Sequence, residues 1–261
     1  MTRYFLLAFF VIIIKNGFSQ EKFQLAPPML KYQSAFFSGS TSFEIIFNQP
    51  GAEVRYTLDG RDPLKSDHLY SRPVTIANRT LLKARAFGKD FLPSETVTAT
   101  FIKDGKPIRV ANFSKPNESY AGSKPDMLID DIGGIVNYRS GTWIGFDSDT
   151  VIVDIELNRK EKVENVLVSL LQDENSWIFL PQQLTLYYFD TAKKSYLPAG
   201  EQKFTHDQPG MKTCQVVEIK PESTIETSKL RLVLLTLKKI PAWHTGKDQH
   251  GWLFIDEIKV Y

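Results

Sequence analysis

Alternation of apolar and polar positions with a period of two runs through most of the chain. Residues 41–47, 53–58, 80–87 and 95–101 are short, rich in β-branched and aromatic side chains, and separated by Gly, Pro and Asn. Four such segments within about 80 residues predict a small β-sandwich. The stretches 103–107 and 114–119 are polar and turn-rich, which places a boundary near residue 110. Beyond it the pattern resumes with longer segments at 150–157, 163–171, 183–189, 214–219, 229–237 and 252–260, and no amphipathic stretch of a dozen residues competes with them. Six strands in roughly 140 residues predict a second sandwich or jelly roll. The fold class is therefore all-β.

The N-terminus breaks this pattern. Arg3 precedes an almost unbroken apolar run over residues 4–14, followed by Lys15, Asn16, Gly17 and the small Ser19. Such a run suits the core of a signal peptide, whereas a membrane-spanning helix needs about 20 residues; the alternative is an uncleaved anchor. Residues 1–19 are expected as a signal peptide, with a secreted or periplasmic location and no membrane span after cleavage. Cys214 is the only cysteine, so no internal disulfide is available and stability must come from packing. Lys and Arg total 32 against 30 Asp and Glu, with no basic cluster, so a nucleic-acid or anionic-membrane partner has no electrostatic support.

Candidate chemistry is sparse. Residues 54–70 read VRYTLDGRDPLKSDHLY, a strand that stops at Asp59-Gly60 and Asp62-Pro63. Ser66, Asp67 and His68 lie too close together on one turn to form a nucleophile-base-orienter chain. Asp-Gly instead makes a tight turn, and Asp before Pro favours an extended conformation. Tyr56 to Gly60, Asp62-Pro63, Ser66, Tyr70, Pro73 and residues 80–84 resemble the small domain at the C-terminal end of chitobiases and β-hexosaminidases. The resemblance implies an immunoglobulin-like accessory sandwich over residues 35–104, after a lead-in at 20–34, with Tyr70 and Leu82 packed beneath the corner.

The second half resembles the discoidin (coagulation factor type C) domain as it occurs behind exported β-N-acetylhexosaminidases. The matching motifs are residues 120–123, 128–134, 141–146, 176–181 and 252–261. This implies a galactose-binding-like jelly roll over 117–261, behind a linker at 105–116, with a structural calcium held by Asp130 and Glu257 and assisted by Asp131. Calcium requires several hard oxygen ligands. Asp131 departs from the pattern, standing where many relatives have glycine, which bears on the shape of the loop. On a regular strand Asp256 and Glu257 point to opposite faces and do not readily share one site.

Of the four tryptophans, Trp143 matches the buried residue entering the first core strand. Trp177 and Trp243 lie in polar loops, where they either stack on the C–H face of a sugar or cover the base of the core; the residues leave both readings open. In the first reading Arg139, Asp173, His244 and Asn175 supply hydrogen bonds to a glycan, of amino-sugar or galactose type. No catalytic barrel, zinc motif or nucleophile elbow is present. The expectation is an exported, non-catalytic carbohydrate-binding accessory protein. The alternative is a structural or protein-interaction module partnering a separate glycoside hydrolase or envelope protein.

Overall fold

The computed structural model describes residues 22–261 apart from Ser123 and Pro125; the expected signal peptide lies outside the described residues. Regular structure among the described residues consists of strands and three single turns of 3-10 helix. The first half carries β1 (Met29–Tyr32), β2 (Phe36–Phe37), β3 (Thr41–Ile46), β4 (Ala52–Thr57), β5 (His68–Leu69), β6 (Val74–Ile76), β7 (Thr80–Gly88) and β8 (Val97–Lys103). They form sheets of order β1-β3-β6 and β2-β8-β7-β4-β5. The period-two pattern explains the packing. Alternate residues of β3 and β7 point inward, and Phe43, Ile45, Val54, Leu82 and Phe101 fill the space between the sheets. Phe43 and Phe101 stack with ring centroids 5.7 Å apart, in the same core as the small Ala84 and Ala86.

The second half carries β9 (Ile108–Phe113), β10 (Ile144–Phe146), β11 (Thr150–Val163), β12 (Val166–Gln172), β13 (Gln183–Asp190), β14 (Ser195–Lys203), β15 (Thr213–Ile219), β16 (Ile225–Leu235) and β17 (Leu253–Val260). Sheets of order β10-β17-β12-β15 and β14-β13-β16-β11-β9 face each other across a core that includes Phe146, Val153, Ile155, Leu170, Leu232, Leu234 and Ile255. Every residue of β12 and β17 is buried, so these strands are covered on both faces; β12 is apolar apart from Ser169 and Gln172, whereas β17 carries Asp256, Glu257 and Lys259 inside. Part of the outer cover comes from the first half, where Phe36 and Ile102 pack on Leu167 beside Val216 and Tyr261.

Two expected boundaries are corrected. The lead-in 20–34 contains β1, which pairs with β3 along its whole length. The expected linker 105–116 contains β9, hydrogen-bonded along β11 as an edge strand of the second sandwich. The joint is tied further where Lys106 N–H donates to Val260 O (2.7 Å) and Tyr261 O–H donates to Lys103 O (2.5 Å). A six-residue stretch, interrupted by Arg109 and Asn112, gave this strand no contrast against the polar loops beside it.

The corner after β4 is wired to itself. Gly60 has φ +83°, and a Cβ there would lie 2.5 Å from Leu81 Cδ2. Asp67 takes both guanidinium nitrogens of Arg61 and the amide of Leu64, which holds its carboxyl down at about 2. His68 lies against the Tyr56 ring, Tyr70 packs at the edge of the core, and Leu82 is fully buried below. Gly60→Val is expected to lower the stability of the first half by roughly 1–3 kcal/mol through positive-φ strain. Chemical denaturation checks this, and an unchanged midpoint would remove the turn from the account.

Candidate functional site

β12 ends at Gln172 opposite Thr213, and β13 opens at Gln183 opposite both Lys203 and Leu235. Loops 173–182, 204–212 and 236–252 therefore emerge side by side at one end of the second sandwich. The first is a tight reversal. Asp173 and Ile178 exchange backbone hydrogen bonds, Ser176 N–H donates to Asp173 O, and Trp177 N–H donates to Glu174 O. Trp177 closes the reversal in the left-handed conformation (φ 63°), which is uncommon for a bulky residue. Its indole is 38% exposed, lies against Gly246 where a Cβ would come within 3.0 Å of three ring atoms, and donates no hydrogen bond to the described residues.

The other candidates divide between support and surface. Trp243 is half-buried against Phe179, Leu237 and Ile240, and its Nε1–H donates to His206 O (2.7 Å). His244 is spent on both ring nitrogens. Nδ1 accepts from Gly246 N–H, so Nε2 carries the proton and donates to Glu174 O (both 2.9 Å). Asp173 is 1% exposed, accepts from Ser176 Oγ and pairs with Lys212 at 2.8 Å. Asn175 is exposed beside Trp177. Arg139 is exposed but belongs to a neighbouring aromatic row, its guanidinium 5.1 Å from the Tyr138 ring centroid. That row runs Tyr138–Tyr120–Trp252 by edge contacts, and Trp252 N–H donates to Trp177 O, joining it to the loop cluster. Trp143 is buried, as expected, with Nε1–H donating to Ile135 O.

Sequence reasoning missed the residues that hold the loops together. Glu174 Oε2 accepts from Gly210 N–H and Oε1 from Gln172 Nε2, which fastens loop 204–212 to the Trp177 reversal. A side chain at Gly210 would displace the Gln172 amide, since a Cβ would fall 1.9 Å from Gln172 Nε2. No local signal marks a pair 36 residues apart.

The expected calcium ligands lie elsewhere, on the outer face of the four-stranded sheet. Against the expectation for a regular strand, Asp256 and Glu257 both serve one loop. The register of β17 against β12 shifts between Val168 and Leu170, a β-bulge that inserts an extra residue into β17 and re-aims its side chains. Asp256 Oδ2 accepts from Gly134 N–H and Glu257 Oε2 from Asp131 N–H. Both carboxylates are 0% exposed. The Lys259 ammonium lies 2.5 Å from Asp131 Oδ1 and 2.9 Å from Glu257 Oε1, the second an ion pair without hydrogen-bond alignment. Asp130 Oδ1 accepts from Ile132 N–H and makes no contact with Lys259. Among the described residues no group of three or more His, Cys, Asp and Glu is arranged to hold a metal ion. As placed, the set does not fit calcium, since an ammonium already occupies the space between the two carboxylates.

Burial pushes Asp256 up to about 7, against hydrogen bonds from Ser169 and Gly134, and pushes Glu257 up to about 8, against the pull of Lys259. Burial alone would lower Lys259, yet Glu257 and Asp131 hold it above the ordinary lysine range. Beside the pair, Cys214 Sγ–H donates to Gly134 O, and burial raises this thiol to about 12.

A family model described as Fn3 associated matches residues 43–101, within the first sandwich. No curated protein matches the chain. Similar solved structures include the family 32 carbohydrate-binding module of EndoD from Streptococcus pneumoniae, at 17% identity and TM-score 0.39, covering 60% of this chain and 96% of that one. The family 32 module of NanJ from C. perfringens, solved with galactose, has 13% identity and TM-score 0.38 over 59% of this chain and 92% of its own. The C-terminal domain of a chitobiase from Bacteroides fragilis has 15% identity and TM-score 0.36, again over 59% and 92%.

The raised carboxyls carry a pH signature. A group whose folded value lies above its unfolded one stabilises fully below the unfolded value, and that contribution is lost as pH rises through the folded value. For Asp256 the window runs from the ordinary 3.8 up to about 7. Asp256→Asn keeps the acceptor for Gly134 but cannot ionise. Its melting temperature should fall less steeply than that of the native protein from pH 4 to pH 7, the difference in slope reaching at most about 1.4 kcal/mol per pH unit for one proton. Parallel melting-pH profiles would contradict the shift.

Proposed function

We propose that this chain is an exported, non-catalytic protein that binds carbohydrate at the loop end carrying Trp177. The observation that carries the reading is the Trp177 indole: partly exposed, braced against Gly246, with no hydrogen-bond acceptor for its Nε1–H among the described residues and with exposed Asn175 in the same loop. An aromatic face pairs with the apolar C–H face of a sugar ring, and the polar groups at its edge fix orientation through hydroxyls. Preorganisation favours the reading, because Trp177 is held on both sides by the hydrogen bonds of its own reversal and by Trp252. His244 and Asp173 act here as supports that position the loop, and Trp243 forms its floor. Galactose-type and N-acetylated amino sugars are the first ligands to test.

A second reading is favoured by the cleft between the halves, which has a volume of about 1270 Å³. Tyr32, Leu81, Ile135 and Val136 line it and are all exposed, a surface suited to a protein partner such as a separate glycoside hydrolase.

A glycan array on the purified protein separates the two. Trp177→Ala should weaken glycan binding by roughly 1–3 kcal/mol with the fold intact, the loss expected on truncating an aromatic anchor. Trp243→Ala should instead lower stability by roughly 1–3 kcal/mol, less than the cost for a fully buried aromatic because the ring is half-exposed. Glycan binding that survives Trp177→Ala, or no binding to any sugar, moves function to the cleft. Export has its own check: N-terminal sequencing of protein made in its host should begin near residue 20, and retained Met1 would overturn it.

A further inference from the structure

The geometry points to Lys259 as a tethered cation that stands in place of a divalent metal ion between Asp131 and Glu257, making the second half independent of calcium. Four observations carry this. The ammonium is within contact distance of one oxygen of each carboxylate, and its side chain is almost entirely withdrawn from solvent. Lys259 lies two residues from Glu257 on one strand, so both side chains leave the same face and the lysine stem folds back toward the carboxylate. The loop and the strand are also held together directly, since Glu257 Oε2 accepts from Asp131 N–H and Asp131 O accepts from the hydroxyl of Ser34, so the ammonium completes a junction that needs no further cation.

Asp131 supplies the fourth observation. It sits at φ 62°, the left-handed conformation that glycine adopts without cost. Aspartate is among the few side chains that tolerate this conformation. Its carboxylate is then delivered to Lys259 across 128 positions of sequence. The departure from glycine and the lysine two residues after Glu257 thus form one device: an acid at the loop and its counter-charge on the strand.

The test uses the full chain. Melting of the native protein should be the same in EDTA and in millimolar calcium chloride. Lys259→Ala removes the ammonium and leaves two carboxylates facing an open space. Its second-half transition should fall by several degrees in EDTA and recover in part with calcium, a response that Asp131→Asn in the same background should abolish. If Lys259→Ala does not fold, Lys259→Gln keeps most of the stem without the charge and gives the same readout. A calcium-dependent rise in the native protein overturns the proposal. So does a lysine variant that melts like the native protein, or one destabilised with no response to calcium.

Discussion

Two neighbouring carboxylates in the middle of β17 have no access to water, and the chain on both sides is arranged to answer them. An isolated buried carboxylate costs several kcal/mol even after relaxation, so each must be protonated, paired or hydrogen-bonded. Asp256 takes the Gly134 amide, and Glu257 takes the Asp131 amide with the Lys259 ammonium alongside. The bulge in β17 lets both reach one loop. Once bound, that loop becomes a fixed platform. Ile135 O receives the Trp143 indole, Gly134 O receives Cys214, and Gly133 N–H together with Asp131 O clips Ser34 of the first half. The packing of Phe36 and Ile102 on Leu167 follows directly beside this clip.

The strands that alternation revealed are mainly the interior ones. Every strand it missed (β1, β2, β5, β6, β9, β10 and β14) lies at the edge of its sheet. The physical reason is common to all. An edge strand has one neighbour and a short buried stretch, and it tolerates residues that a central strand excludes. β14 shows this most clearly, with Pro198 opposite Tyr187 at a register shift and Gly200 pressed against Lys220 O. The motif resemblances compensated in part, since Trp143 entered as a core residue although β10 did not register as a strand.

At the loop end, polarity in the sequence did not separate contact residues from scaffolding. Asp173, His244 and Trp243 carry suitable chemistry, but the structure has engaged their polar atoms in bracing the loops, while Asn175 and Trp177 remain exposed. The distinction depends on partners such as Glu174, Gly210 and Gly246, which come from different loops. For the buried acids, the sequence rule of opposite faces was sound for a regular strand and failed only because of one inserted residue.

The thiol of Cys214 has a consequence for chemistry outside the protein. A value near 12 leaves roughly one sulfur in 10⁵ ionised at neutral pH, and the thiolate is the form that attacks disulfides and oxidants. Its hydrogen is also committed to Gly134 O. A lone cysteine in an oxidising environment ordinarily invites mixed disulfides and covalent dimers; in the folded chain this sulfur behaves instead as a small apolar group, so its exposure to such capture is confined to the unfolded state.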